Sequence, residues 1–210
     1  NTPKRISSNR NINVVYEDEN IIVVNKESGL LVHSDDNECF DTLIDRIIAY
    51  LVFKGEYNPD KENSFTPALC NRIDRNTEGL VIAAKNASSL REMNTIIKER
   101  MINKRYLAVV HGVLNQKDGE IKLLLEKDSD KNLVRVREKA SACSKTAVTR
   151  YKTIDITRDR RFSLLEIELV TGRTHQIRAS FAHIGHPLLG DGKYAVNKKD
   201  REMGFESQAL

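Results

Sequence analysis

The chain has 210 residues, of which 40% are hydrophobic and 30% are charged, a composition typical of soluble globular proteins. Its 34 basic and 30 acidic side chains leave a formal net charge of +4, which permits nucleic-acid binding without requiring it. The longest apolar run covers only residues 47–53, whereas a membrane helix needs about 20 such residues, so we expect no membrane-spanning segment.

The chain begins with short strands. Residues 12–16 and 21–24 are β-rich apolar runs on either side of a polar turn at 17–20, which is typical of a β-hairpin. A third apolar run at 30–33 predicts another strand. Residues 1–11, which are polar and basic, are expected to be a flexible start or the remnant of a linker.

A helix follows the predicted strands. Leu43, Ile47 and Leu51 recur at helical spacing, and Asp41 is the expected N-cap. The elements expected next are a polar loop at 54–66, a buried strand at 80–84 and a second helix around 90–97.

The second half of the chain is predicted to be mostly β-structure between residues 106 and 169. Leu165 and Ile167 alternate there with Glu166 and Glu168, the period of a half-buried strand. A third helix is expected at 174–184, because Gly and Pro follow it directly. Many short strands and few helices predict the α+β class, with a mixed, largely antiparallel sheet.

Cofactor and metal signatures are missing from the sequence. It contains no phosphate-binding glycine loop, no dinucleotide-binding fingerprint, no zinc-protease motif and no serine-hydrolase motif. The three cysteines are odd in number and far apart, which argues against disulfides and a paired-cysteine zinc site and favours a reducing, cytoplasmic location. The usual signatures of the common nucleotide cofactors and of the common zinc and serine hydrolases are therefore absent.

The first segment with chemical potential places Asp74 between Arg72 and Arg75. Flanking cations favour the ionised carboxylate, which suits a nucleophile or an electrostatic stabiliser better than a general acid. The alternative is an ordinary surface ion pair, which contributes little to stability.

The second segment is TGRTHQIR at 171–178. Gly172 permits a tight turn, and His175 and Arg178 are expected on one face of the following helix. Cations at a helix N-terminus make a natural anion or phosphate site. The alternative is a basic, solvated helix face.

The third segment has Tyr106 opening an apolar strand directly after Lys104 and Arg105. The tyrosine is either a core residue or a stacking platform and proton-transfer phenol. A fourth segment, at 186–194, is rich in Gly and Pro and is interpreted as a rigid scaffold turn.

Five segments in order resemble the RluA-type pseudouridine synthases. The family patterns are V-x-K-P-x-G-x-x-V-H, H-R-L-D-R-x-T-S-G-L, K-x-Y-x-A, T-G-R-T-H-Q-[IL]-R and H-P-[IL]-x-G-D-x-x-Y. They match residues 24–33, 71–80, 104–108, 171–178 and 186–194 of this chain. The departures that change the type of residue are Asn71 for His, Glu78 for Ser and Glu27 for Pro, and none of them removes Asp74, Tyr106 or Arg178.

The resemblance implies isomerisation of uridine to pseudouridine in RNA, on a fold with a central catalytic cleft and without cofactor or metal. Asp74 matches the catalytic aspartate, Tyr106 the active-site tyrosine, and Arg178 the basic residue paired with the aspartate, with Arg173 the weaker candidate. Because the target uridine must leave the helix stack, Arg72 is expected to fill the vacated space. The residues expected to contact RNA are Arg72, Arg75, Arg173 and His175.

The resemblance also suggests partners and a domain organisation. We expect ribosomal RNA rather than transfer RNA as the partner, no DNA, and a monomer. Residues 12–210 are expected to form a single catalytic domain cut before its last strand or strands, without the N-terminal S4 RNA-binding domain of many relatives.

Two other functional classes compete with this interpretation. One is an RNA-binding module that kept the fold without catalysis, and the retained Asp74 argues against it. The other is a nuclease or glycosidase, which usually needs paired acids or an acidic metal cluster. Glu78 is the only acid near Asp74 in sequence.

Overall fold

A computed structural model of the chain describes residues 7–34, 41–62, 64–128, 131–195 and 198–210. The chain divides into two compact units, Asn1–Met101 and Ile102–Leu210. Cys39 lies outside the described residues, and Cys70 and Cys143 are free thiols. In the described part of the chain, no helix is long and apolar enough to cross a membrane.

The first unit contains a four-stranded antiparallel sheet. Its strands are β1 (Asn13–Glu17), β2 (Ile21–Lys26), β3 (Ala68–Leu69) and β4 (Gly79–Ala84), in the order β1-β2-β4-β3. The predicted hairpin is confirmed as β1 and β2, with a bulge between Val14 and Tyr16, and the predicted buried strand is confirmed as β4.

The strand predicted at residues 30–33 was wrong. The carbonyls of Leu31 and Val32 instead accept the N–H groups of Leu43 at 2.8 Å and Ile44 at 3.3 Å, in the first turn of α1 (Leu43–Phe53). The first N–H groups of a helix have no partner within the helix. This backbone therefore satisfies a helix terminus rather than a sheet.

The helix α1 itself was predicted, but its N-cap is Thr42 rather than Asp41. The Thr42 hydroxyl accepts the Asp45 N–H at 3.4 Å, and the Asp45 carboxylate accepts the Thr42 N–H at 3.1 Å, which forms a capping box. Asp41 pairs with Arg46 at 2.7 Å instead. Both side chains are good caps, so sequence alone did not decide between neighbouring positions.

The core of the first unit lies between the sheet and α1. On β2 the inward positions are Ile22, Val24 and Lys26, all with no exposed surface. They alternate as a half-buried strand requires, and the last of them is a lysine. The second predicted helix is confirmed as α2 (Ala87–Lys98), capped by the side chain of Asn86.

The second unit contains a five-stranded antiparallel sheet. Its strands are β5 (Arg105–His111), β6 (Asp118–Asp128), β7 (Leu133–Arg137), β8 (Lys145–Ile156) and β9 (Phe162–Leu169), in the order β5-β9-β8-β6-β7. The predicted alternation on β9 is confirmed, because Leu165 and Ile167 are fully buried while Glu166 and Glu168 form ion pairs.

Two helices complete the second unit. α3 (Gln176–His183) is shorter than the predicted helix at 174–184, and α4 (Lys198–Glu202) was not predicted. Phe181 and Ile177 of α3 are buried in the core against β5 and β9, whereas Ile184 follows the helix and is exposed. Helices on antiparallel sheets agree with the predicted α+β class.

Candidate active site

In the first unit, Asp74 lies in the segment that joins β3 to β4. Its side chain is half-buried, and its carbonyl accepts the N–H of Thr77, itself buried, at 3.1 Å. Residues 74–77 therefore form a turn, called here the Asp74 turn. The strand β4 begins two residues later, at Gly79.

The Asp74 turn is fastened to the segment that follows β2. The Gly29 N–H donates to the Arg75 carbonyl at 2.9 Å, and the Arg75 Nε donates to the Gly29 carbonyl at 3.0 Å. The Ser28 hydroxyl donates to the Asn76 carbonyl at 3.0 Å. Gly29 has a φ of +89°, a left-handed conformation that favours glycine. Two loops distant in sequence thus hold the backbone that carries Asp74.

Lys26 is the buried centre of this arrangement. Its ammonium donates to the carbonyls of Glu27 at 2.8 Å, Leu30 at 2.9 Å and Arg75 at 2.8 Å, so its three N–H groups match three acceptors. Burial lowers the pKa of Lys26 to about 8, while the negative charges of Asp74 and Glu78 act in the opposite direction. The backbone of the Asp74 turn is therefore bonded to a fully buried cation at the end of β2.

Sequence reasoning did not single out Lys26. The sequence signal for this buried lysine was its position, because Lys26 continues the alternating buried positions of Ile22 and Val24 at the end of β2. A lysine on a buried face needs partners. That requirement could have predicted a polar anchor.

The departures from the family pattern have structural partners. The Asn71 side chain accepts the Ile82 N–H at 2.8 Å and donates to the Leu80 carbonyl at 3.2 Å, so it pairs with the backbone of β4. Glu78 accepts the amide of Asn25 at 3.2 Å. These replacements keep the segment around the Asp74 turn bonded to the sheet.

In the second unit, Tyr106 lies on β5, opposite Ile167 of β9. Its side chain is half-buried and packs against the core of this unit. Partial burial is compatible with a core residue and with a stacking ring, so both interpretations of Tyr106 stay open.

The loop before α3 is held by Gln176, which sequence reasoning did not single out. Its side-chain oxygen accepts the Arg173 N–H at 3.0 Å and the Thr171 hydroxyl at 2.8 Å. Its amide nitrogen donates to the carbonyl of Val148 at 3.0 Å and the hydroxyl of Thr149 at 2.9 Å. A buried glutamine with four partners fixes the loop to β8, and this explains how the exposed Arg173 is positioned.

His175 does not lie on a helix face with Arg178, as had been expected. It is the N-cap of α3 and has a left-handed φ of 48°. Its Nδ1 is hydrogen-bonded to the Tyr194 hydroxyl at 2.7 Å, and that hydroxyl accepts the Val134 N–H at 2.9 Å. Sequence periodicity could not show this, because the helix starts one residue after the histidine.

Arg178 is buried and not part of a solvated helix face. Its Nε donates to Asp191 Oδ2 at 2.8 Å and its Nη2 donates to Asp191 Oδ1 at 2.9 Å. The guanidinium carbon lies 5.2 Å from the centre of the Tyr194 ring. The segment at 186–194, interpreted as a scaffold turn, therefore supplies two side chains that contact Arg178, Asp191 and Tyr194.

The predicted site residues are distributed over both units. Arg72 and Arg75 are exposed beside the half-buried Asp74, while in the second unit Arg173 is exposed and Arg178 is buried. Their assignment to catalysis or RNA binding stays a prediction. Within the described ranges, no group of three or more His, Cys, Asp or Glu side chains is arranged to hold a metal ion.

Comparison with known proteins shows which family the chain belongs to. The family described as RNA pseudouridylate synthase matches residues 20–183. An uncharacterized RNA pseudouridine synthase of Bacillus subtilis, YlyB, is 33% identical over 200 residues, which cover 95% of this chain and 62% of that protein. The ribosomal large subunit pseudouridine synthase D of Borreliella burgdorferi is 34% identical over 191 residues, covering 89% and 56%.

A solved structure shows the same fold at lower identity. The human RNA pseudouridylate synthase domain containing 1 superposes with a TM-score of 0.73 at 22% identity, over 97% of this chain and 77% of that chain. The present chain spans about 60% of the length of the curated relatives it matches. On the strength of the family match and of these relatives, the chain belongs to the RNA pseudouridylate synthase family.

Proposed function

We propose that this chain isomerises specific uridines to pseudouridine in structured RNA, with Asp74 as the nucleophile. The observation that carries the proposal is the Asp74 turn, in which a fully buried ammonium, Lys26, is bonded to the turn backbone and supplies positive charge to the carboxylate. Family membership supports the reaction class. A surface ion pair would not need an anchored turn of this kind.

In the proposed reaction, the Asp74 carboxylate attacks the base or the ribose of the target uridine. The bond between ribose C1′ and uracil N1 breaks, the uracil turns, and a bond forms between C1′ and C5. The bond between Asp74 and the substrate then breaks, which regenerates the free carboxylate. The hydrogen on C5 leaves to water and N1 gains a proton, so the product is an isomer of the substrate. Nothing in this balance requires an oxidant, a reductant or a cofactor.

Two residues of the second unit complete the proposal. Tyr106 stacks on the flipped base and relays the C5 proton to water, its phenol accepting that proton while its own proton passes to solvent. A half-buried ring that packs against the core of the second unit is consistent with both roles. In the family the arginine at this position pairs with the catalytic aspartate, and we assign that role to Arg178.

RNA recognition is assigned to cationic side chains beside Asp74 and at the start of α3. Arg72, Arg75 and Arg173 are exposed, as phosphate contacts require, and His175 is half-buried at the start of α3. Ribosomal RNA is the proposed target class, because relatives from two bacteria carry the name ribosomal large subunit pseudouridine synthase D. Transfer RNA is the alternative substrate for the test.

The test uses RNA transcribed with uridine tritiated at C5. Pseudouridine formation releases that tritium to water, whereas binding or cleavage alone does not. We expect release from large-subunit ribosomal RNA and none from transfer RNA. Binding without release from any RNA would instead support a module that kept the fold without catalysis.

A further inference from the structure

Asp191 stands out in the second unit as a fully buried carboxylate. It follows Gly190, and both of its oxygens accept hydrogen bonds from Arg178. Oδ1 also accepts the backbone N–H groups of Lys193 at 2.9 Å and Tyr194 at 3.2 Å. Four donors therefore surround one carboxylate that has no exposed surface.

The balance of these contacts keeps Asp191 ionised. Burial alone raises the pKa of Asp191, but the Arg178 guanidinium and the two backbone N–H groups outweigh burial and leave that pKa below its ordinary value. The pair with Arg178 is consequently a charged pair throughout the neutral range.

The geometry of the pair fixes the orientation of the guanidinium. A planar guanidinium that donates through two nitrogens to two carboxylate oxygens cannot rotate without breaking both bonds. The bonds to Asp191 use Nε and Nη2 of Arg178, which defines where the third nitrogen, Nη1, is directed. The Tyr194 ring, held through its hydroxyl by Val134 and His175, lies against the same group.

We propose that Asp191 is a positioning residue for pseudouridine formation, which holds the Arg178 guanidinium in the orientation that the reaction uses. This inference rests on the proposed function. Asp191 acts through Arg178 and does not itself touch the substrate.

The first test compares Asp191→Asn with a matched control, Asp200→Asn. Asp200 is also buried and accepts the Gly190 N–H at 2.8 Å, but it pairs with His111 rather than with Arg178. At a temperature where each variant is folded by circular dichroism, we expect Asp191→Asn to lower the single-turnover rate on the order of 100-fold, the scale of a misplaced catalytic group. Asp200→Asn should lower only the melting temperature.

A double-mutant cycle separates positioning from general stability. If Asp191 acts through Arg178, adding Asp191→Asn to Arg178→Ala changes the rate by less than about twofold. A further large loss in that background would overturn the proposal. Arg178→Lys keeps the charge but not the planar fork, so it should lose rate as Asp191→Asn does, and full activity of Arg178→Lys would also overturn it.

A measurement that needs no activity keeps this inference distinct from the proposed function. The Nε–H of Arg178 should exchange slowly with solvent in the wild-type protein by ¹⁵N NMR and rapidly in Asp191→Asn. If the wild type releases no tritium from RNA, the proposed function fails and the role of Asp191 in it fails too. Equal exchange in both proteins would overturn the positioning of Arg178 even in an active enzyme.

Discussion

Replacing Lys26 with methionine tests the buried cation beneath the Asp74 turn. Methionine fills a similar volume but removes three N–H donors, so the carbonyls of Glu27, Leu30 and Arg75 lose their partner. Each buried carbonyl left without a partner costs about 1–3 kcal/mol. Removal of the buried charge offsets part of this cost, so the pH dependence of the difference is more informative than its value at pH 7.

The sign of that dependence follows from the pKa of Lys26. Burial lowers it from 10.5 to about 8 in the native state. Between these two values the unfolded chain binds a proton that the native chain has released, so the stability contributed by Lys26 rises with pH. A lowering of the pKa from 10.5 to about 8 corresponds to about 3 kcal/mol of stability. In Lys26→Met the side chain at position 26 does not titrate, so this contribution is absent.

The assay is urea unfolding followed by circular dichroism at several pH values from 7 to 10.5, with Lys85→Met as control. Burial lowers the pKa of Lys85, but hydrogen bonds to Glu56 and Glu17 raise it by more, so it stays above its ordinary value. Lys85 therefore keeps its proton across most of this range.

We expect the stability difference between wild type and Lys26→Met to grow by about 3 kcal/mol as the pH rises, while the difference for Lys85→Met stays constant up to pH 10. A constant difference for Lys26→Met would refute the reasoning, because it would mean that burial does not perturb the Lys26 ammonium.

Two further variants address the second unit. Tyr106→Phe should bind RNA as the wild type does but release tritium slowly, because the ring still stacks and the phenol that moves the proton is gone. Tyr106→Ala should also lose about 1–3 kcal/mol of RNA affinity. A fully active Phe variant would refute the proton-transfer role. Arg173→Ala should reduce the slope of log affinity against log salt by about 1 without changing the melting temperature, and an unchanged slope would show that Arg173 does not contact a phosphate.

The hairpin, the first three helices and the β-rich second half were predictable because each depends on local periodicity. The alternation of β9 and the spacing of Leu43, Ile47 and Leu51 are confirmed in the structure. The run at 30–33 has the composition of a strand. Its backbone carbonyls instead accept hydrogen bonds from N–H groups in the first turn of α1, which have no acceptor within the helix. Such long-range backbone pairing leaves no periodic signal in the sequence.

The candidate site was predictable in its residue types but not in their partners. Asp74, Tyr106 and Arg178 were recognised by motif, and a motif does not show which residues form hydrogen bonds or ion pairs with each other in the fold. Lys26 and Asp191 are buried charged residues that the motifs did not point to. Lys26 donates to the carbonyl of Arg75 and Asp191 accepts from Arg178, and both of these partners are distant in sequence. Only a structure reveals that the turn at 186–194 supplies a carboxylate to α3.

The central claim is that Asp74 is the nucleophile, and nucleoside analysis of Asp74→Asn tests it most directly. Large-subunit ribosomal RNA is treated with wild type, Asp74→Asn or the exposed-loop control Asp60→Asn, then digested to nucleosides and separated by chromatography. The account predicts pseudouridine with wild type and Asp60→Asn, and none with Asp74→Asn although its RNA affinity is retained. Pseudouridine formation by Asp74→Asn within about tenfold of the wild-type rate would contradict it.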